Sequence, residues 1–266
     1  MQESPIQQFR FFLKDSVRKM VDFSETDQSR GVSAPPLQKP YPAGADIIPL
    51  PNAEAWTSIP SVDLLTAMAN RRSHRTFLSE PLTVEELAFL LWSTQGIRQI
   101  ANPGTAFRVV PSAGCRHAFE TYLCIMNVEG IAQGLYRYLP VEHALFLIEP
   151  DDTIHSKITE GSFRQSFAGK ASVTFVWTAL PYRMEWRYGL AAYKVIAIDA
   201  GHVCQNLYLA CEAVSCGCCA IAAYDQDLMD RLVQVDGENE FVVYLAPVGR
   251  IQPEIIKDKR GIRNHS

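Results

Sequence analysis

At 266 residues, 47% of them hydrophobic and 20% charged, the chain can bury a sizeable core and has the balance of an ordinary globular protein, of one domain or two. A formal net charge of -4 gives no general attraction to nucleic acid or anionic lipid, so nucleic-acid and membrane partners are not expected and any polyanion site must be a local pocket. No window reaches membrane-spanning length and Met1-Gln2-Glu3-Ser4-Pro5 has no basic stretch leading into an apolar core, so a cytoplasmic location is expected, with the seven cysteines as reduced and mostly buried thiols.

Residues 7–21 repeat apolar side chains at Phe9, Phe12, Leu13, Val17 and Met20, a helical period with Lys14, Arg18 and Lys19 elsewhere on the surface. From 22 to 52 the prolines Pro35, Pro36, Pro40, Pro42, Pro49 and Pro51 preclude regular helix and predict an extended segment. Residues 1–52 are therefore read as an amphipathic arm and a Pro-rich wrapping segment, and 53–266 as the folded domain.

Residues 62–69 again carry helical apolar spacing, and Arg71-Arg72-Ser73-His74-Arg75-Thr76-Phe77 follows directly. Arg71, Arg72, Ser73 and Arg75 suit one compact dianion: guanidinium forks grip phosphate oxygens in pairs, and the serine adds a neutral donor. The same arginines would also close the preceding helix against its negative end and otherwise sit in water. Thr83-Val84-Glu85-Glu86 is a capping box that opens a helix through Leu87, Leu90, Leu91 and Trp92, ending near Gly96.

Arg108 to Pro111 is a short extended run that breaks into the small-residue turn Ser112-Ala113-Gly114. That is either a plain strand-to-helix turn or a place where backbone approaches something large and flat. Strands are predicted at 122–126, 134–138, 144–148, 173–179 and 241–245. Residues 197–214 read as the most buried helix. Ile196, Ala200, Val203, Leu207, Ala210, Cys211 and Val214 make one stripe, and Cys204, Tyr208 and Leu209 leave little polar surface, so it lies centrally or at a subunit interface.

Cys216-Gly217-Cys218-Cys219 invites a metal reading, but a closed zinc site needs four ligands and no second cysteine pair or spaced histidine pair completes it. Packing of buried thiols is expected there, and no metal site is predicted. The glycines form neither a dinucleotide fingerprint nor a Walker loop, and no Ser or Cys stands in a nucleophile elbow.

Together, R-R-S-x-R-x-F at 71–77, P-S-A-G at 111–114, G-L-Y-x-Y at 134–138 and D-A-G-H-x-x-Q-N-L-x-L-A at 199–210 resemble the FMN-dependent nitroreductase superfamily. The resemblance is closer to its SagB-type branch, the azoline-dehydrogenase-like members, and covers roughly residues 40–250. It implies an α+β fold with a central, mostly antiparallel sheet flanked by helices, an interlocked homodimer, and FMN at the subunit interface. Arg71, Arg72, Ser73 and Arg75 match positions that hold the FMN phosphate and ribityl chain, and Arg250 matches a second phosphate cation. Pro111, Ser112 and Ala113 match the turn that lies against the flavin ring from the partner chain. Gln165 matches an amide at the pyrimidine edge, and Ala222 and Ala223 match backbone amides facing flavin N5 and O4.

The residues depart from the family pattern at one place. Azoline-oxidising relatives carry Lys-Tyr-Gly, whereas this chain has Trp186-Arg187-Tyr188-Gly189. An arginine stays protonated, so Arg187 cannot take a proton as a lysine could. Tyr188 could still act beside that fixed cation, or simply pack over the flavin. The expected function is an FMN-dependent oxidoreductase using ping-pong hydride transfer through N5 on a small-molecule or peptide-derived substrate, with NAD(P)H as an open candidate for transient donor. The alternative is a catalytically idle flavin-binding subunit of a peptide-modifying assembly.

Overall fold

Runs of β-branched and aromatic residues in the middle of the chain are long enough to pair, and the helical stripes on either side have apolar faces to cover them. In chain order the computed structural model, which describes residues 4–252, contains α1 (Pro5–Leu13), β1 (Ile47–Pro49), α2 (Leu64–Asn70), α3 (Val84–Gln95), β2 (Ile97–Asn102), β3 (Thr105–Arg108), β4 (Phe119–Ile125), β5 (Gly134–Leu139) and β6 (Ala144–Pro150). It continues with α4 (Ile154–Gly161), α5 (Phe167–Lys170), β7 (Val173–Ala179), α6 (Tyr182–Tyr188), α7 (Ala192–Ala213), β8 (Cys216–Cys218), α8 (Gln226–Leu232) and β9 (Phe241–Arg250). The readings made on residues 1–3 and on the 253–266 end of the folded domain lie outside the described residues.

Seven strands form one sheet in the order β1-β6-β5-β4-β7-β9-β8, and each pairing of neighbours is antiparallel. β2 and β3 pair separately. The architecture is α+β with a central antiparallel sheet, as the family resemblance implied. β4 and β7 are buried along their whole length, so alternation sorts their side chains onto two covered faces. Leu123, Ile125, Phe175 and Trp177 join the cluster that holds Leu87, Leu91, Val203 and Leu207 of α3 and α7. Tyr122, Cys124 and Val176 join Ile154, Ile158 and Met229 of α4 and α8 on the other face.

The capping box forms as read, with Thr83 Oγ1 accepting from Glu86 N–H at 3.1 Å and Glu86 returning to Thr83 N–H at 2.9 Å. The arm differs from the single helix that its period suggested. α1 stops at Leu13, Lys14 turns extended (φ -84°, ψ 147°), and a 3-10 helix runs over Asp15–Met20. No residue of α1 is buried, and a short helix with no buried face has little to propagate it. Helix α7 begins at Ala192, five residues before the predicted start at 197. Strand β8 escaped notice because three residues are too short to show a period.

The Pro-rich segment lies over the chain's own sheet, and its chemistry explains several buried charges. Prolines cannot donate to a ladder, so carbonyls beside them need other partners. Arg108 donates to Leu37 O at 2.6 Å, and Arg137 donates to Lys39 O and Pro40 O at 3.0 Å each. Glu120 accepts from Lys39 N–H at 2.8 Å and from Arg183 at 2.5 Å. Lys39 Nζ reaches Glu240 at 2.5 Å, which also takes the hydroxyls of Tyr122 and Thr178. Burial, with Arg108, Arg116 and Arg183 nearby, pushes His117 down to about 3, so it stays neutral, and burial lowers Arg108 to about 10.

Glu120 is 3% exposed and compensates buried guanidiniums, so Glu120→Gln should destabilise the fold by about 3–5 kcal/mol, the range for breaking a buried ion pair. Urea denaturation at neutral pH tests this, and an unchanged midpoint would show that the arginines are balanced elsewhere.

Candidate functional site

The arginine segment leaves α2 and runs extended along the far edge of the sheet. His74 N–H donates to Cys218 O at 2.9 Å and Leu78 N–H to Arg250 O at 2.8 Å, which places residues 73–78 beside β8 and the end of β9. A Cβ on Gly217 would come within 2.6 Å of the His74 ring, so the glycine in the cysteine run admits that ring. The cysteines themselves behave as packing groups: all seven lie among the described residues without a disulfide, and six are buried. Arg71 is the C-cap of α2, its backbone N–H donating to Ala67 O at 3.0 Å, and its guanidinium lies 5.3 Å from the centre of the Tyr208 ring. Arg72 and Arg75 are exposed, and Arg75 stands 5.9 Å from the centre of the Phe167 ring.

Tyr208 joins this segment to the next. Its hydroxyl accepts from Ala220 N–H at 2.8 Å and lies 2.9 Å from Ser73 Oγ. Burial pushes this phenol above its ordinary range, so it holds its proton. Ile221 then pairs with Leu245 in both directions, at 2.8 and 3.1 Å, and Ala222 and Ala223 emerge exposed with only methyl side chains. Gln165 Nε2 donates to Ala223 O at 3.0 Å and to Ser162 O at 2.9 Å. The fold thus gathers Arg71, Ser73, Arg75, Gln165, Ala222 and Ala223 on one side, with Arg72 in the same segment.

A second group forms elsewhere on α7. The turn Pro111-Ser112-Ala113 presents Ala113 N–H to Asp199 Oδ2 at 3.3 Å, and Ser112 Oγ accepts from His117 N–H at 3.0 Å. Gly114 follows in the left-handed region (φ 58°), and a Cβ there would meet the Tyr188 hydroxyl at 2.6 Å and Arg187 Nε at 2.8 Å. The sequence-predicted turn and the Arg187–Tyr188 pair are therefore neighbours. Arg187 donates to Gln28 Oε1 at 3.1 Å, Gln28 N–H donates to Trp186 O at 2.9 Å, and Trp186 Nε1 donates to Val32 O at 2.9 Å. The amino-terminal segment thereby walls this group.

Within one chain the two groups stay apart: Asp199 and Tyr208 stand about 14 Å from each other along α7 at the helical rise of roughly 1.5 Å per residue. Arg250, read as a second phosphate cation, has other partners. It grips both oxygens of Glu86 at 2.9 and 2.7 Å, with Val214 O at 2.7 Å and Pro81 O at 3.2 Å, and so clips β9 to the start of α3. Sequence reasoning missed Tyr208, Asp199, Gln28 and Phe167 as members of the site. Tyr208 was counted as apolar filling, although a phenol in a half-buried helix needs a partner for its hydroxyl, which was the available signal. Gln28 and Phe167 carry no local pattern that would have marked them.

A family model described as the nitroreductase family matches residues 68–250. A protein of Methanocaldococcus jannaschii, provisionally named a nitroreductase, is 28% identical over 192 residues, which are 72% of this chain and 93% of that protein. The trifolitoxin-processing protein TfxB of Rhizobium leguminosarum bv. trifolii is 26% identical over 133 residues, 48% of this chain but 36% of the length of TfxB. A solved structure from Ralstonia eutropha JMP134, with the same provisional name as the archaeal protein, has a TM-score of 0.64 at 25% identity over 84% of this chain and 100% of that one.

Asp199 offers a pH test of the turn. Burial raises its carboxyl above the ordinary value, opposed by the hydrogen bonds of Ser112 and Ala113 and by His202 at 3.7 Å. A raised carboxyl favours the folded state while protonated, and that contribution is lost as pH rises through the raised value. Asn can still accept from Ala113 N–H. Asp199→Asn should therefore gain stability relative to the parent as pH climbs past the carboxylate range, and the gap should close as pH falls. Denaturant midpoints across pH 4–8 check the slope, and parallel curves would remove the buried carboxylate from the balance.

Proposed function

The chain belongs to the nitroreductase family, and from that premise we infer that it is an FMN-dependent oxidoreductase of the SagB-type branch, acting as a homodimer. The observation that carries the reading is the meeting of Arg71 and Ser73 with the 220–223 loop through Tyr208, with Arg75 following in the same segment beside Phe167, and of that loop with Gln165. It sets an anion grip beside a slender stretch of backbone, which fits a phosphate-tailed, flat cofactor. FMN, when bound, supplies two-electron chemistry by accepting hydride at N5. Arg71, Arg72, Ser73 and Arg75 would hold its phosphate and ribityl chain, and Ala222, Ala223 and Gln165 would serve the ring's edge. Arg250 is assigned to the Glu86 clip rather than to the phosphate.

The separation of the two groups along α7 supports assembly of each site from two chains, the turn 111–113 and Tyr188 coming from the partner. Exposed Leu64 (62%), Leu65 (65%) and Met68 (57%) on α2 and Ile198 (48%) on α7 supply apolar surface for such an interface. In this reading residues 1–52 are an arm on a catalytic domain, and they brace Arg187 through Gln28. The likeness to a trifolitoxin-processing protein favours a peptide-derived substrate over a free nitro compound. Removing hydride from carbon requires removal of a proton from the adjacent atom, and in this reading Tyr188, which lies against Gly114 beside Arg187, would move it.

Purified protein should be yellow, release FMN rather than FAD, and sediment at twice 29.8 kDa. Arg75→Ala should weaken FMN retention about ten-fold, the equivalent of one charge-assisted hydrogen bond of roughly 1.5 kcal/mol. A colourless protein that FMN cannot reconstitute would overturn the cofactor.

Tyr188→Phe tests the chemistry separately. Stopped-flow reduction of the bound flavin by an azoline-containing peptide should slow by about 100-fold or more, as for a lost general base, while reduction by NAD(P)H stays near the parent rate. Equal rates with the peptide would strike Tyr188 from the mechanism.

A further inference from the structure

We propose that Tyr208 is a positioning residue that makes Ser73 a one-way proton donor toward the cofactor phosphate, through a relay of hydrogen bonds that starts at the backbone of Ala220. The inference rests on the FMN reading above and assigns a role to a side chain that reading leaves unexplained.

A backbone N–H can only donate. At 2.8 Å, Ala220 N–H therefore takes a lone pair of the Tyr208 oxygen, and the single phenolic proton remains to be placed. Ser73 Oγ lies 2.9 Å away and can accept it. Once Ser73 accepts, its own proton has to go elsewhere, and a phosphate oxygen is an acceptor and nothing more. The reverse arrangement, with Ser73 donating to Tyr208, would turn a serine lone pair toward the anion. A bound phosphate thus selects one direction: Ala220 N–H to Tyr208, Tyr208 O–H to Ser73, Ser73 O–H to the anion. Each donor in such a series polarises the next.

Two further features favour this direction. The Arg71 guanidinium sits 5.3 Å over the phenol ring, and a cation on the ring face draws electron density from it, which strengthens the hydroxyl as a donor. The ring is fixed on α7, whose Cys204, Leu207 and Cys211 are packed into the core, so the hydroxyl position is set by the helix and not by the mobile end of a long side chain. The Tyr208 ring is only partly buried where it packs against the core, and both of its hydrogen bonds are made by the hydroxyl. The hydroxyl is the part with a task.

Tyr208→Phe keeps the ring, its packing and the Arg71 contact, and removes only the hydroxyl. The full-length protein is loaded with FMN or with riboflavin, which lacks the phosphate, and dissociation on dilution is followed by the fluorescence of released flavin. The variant should hold FMN about ten-fold more weakly, equivalent to roughly 1.4 kcal/mol, and riboflavin nearly as well as the parent does. In a Ser73→Ala background the same change should cost FMN little, because the relay is already cut. Equal weakening of both flavins, or full additivity with Ser73→Ala, would mean that Tyr208 merely supports the loop and would overturn the proposal. FMN binding unaffected by Tyr208→Phe removes this inference alone, whereas a parent protein that binds neither flavin removes the FMN reading and this inference with it.

Discussion

The packing of α7 against one face of the antiparallel sheet is the contact on which the other features depend. Ile196, Ala200, Val203, Leu207 and Cys211 sit in the core with Phe175 and Trp177, which fixes both the axial position and the rotation of the helix. With the helix locked, Asp199 must meet the 111–113 turn and Tyr208 must meet Ser73 and Ala220. A slip of one residue would turn both polar groups by about 100° and leave three hydrogen bonds unmade. The apolar stripe is thus what gives two polar side chains their addresses, and the site inherits its geometry from the core.

That dependence explains which parts could be read from sequence. The strand at 173–179 appears with the bounds expected for it, because its residues are buried on both faces and local propensity agrees with burial. The capping box was legible because Thr83 and Glu86 act within one turn. Arg71, Ser73 and Arg75 stand out as candidates because they are crowded into five positions, while Gln165 and Ala223, 58 positions apart, are matched only through a family pattern. Tyr208, Asp199 and Gln28 escaped because each bonds to a group distant in sequence, and nothing local marks a phenol, carboxylate or amide that will do so. Arg250 shows the converse: a cation in a plausible place is claimed by Glu86, a partner 164 positions away.

The proline-rich segment illustrates a different trade. Backbone that cannot join a ladder is held here by buried side chains, chiefly Arg108, Arg137 and Glu120, so the fold carries charges in its interior. Desolvating them costs energy, and they persist because each guanidinium finds carbonyls that prolines leave without partners. The same segment continues upstream to Gln28 and so connects that buried network to Arg187 at the candidate site.

The arginine segment also bears on solubility during folding. An antiparallel sheet has two rims, and bare backbone on either invites another chain to add a strand. On one rim β1 is three residues long and ends in Pro49, which has no donor to offer a newcomer. On the other, β8 is equally short, and the stretch around Ser73 and His74 lies along it. The residues proposed to grip a phosphate therefore also act as a gatekeeper: with that stretch detached, the cysteine-rich rim of the sheet would be open to strand addition and aggregation.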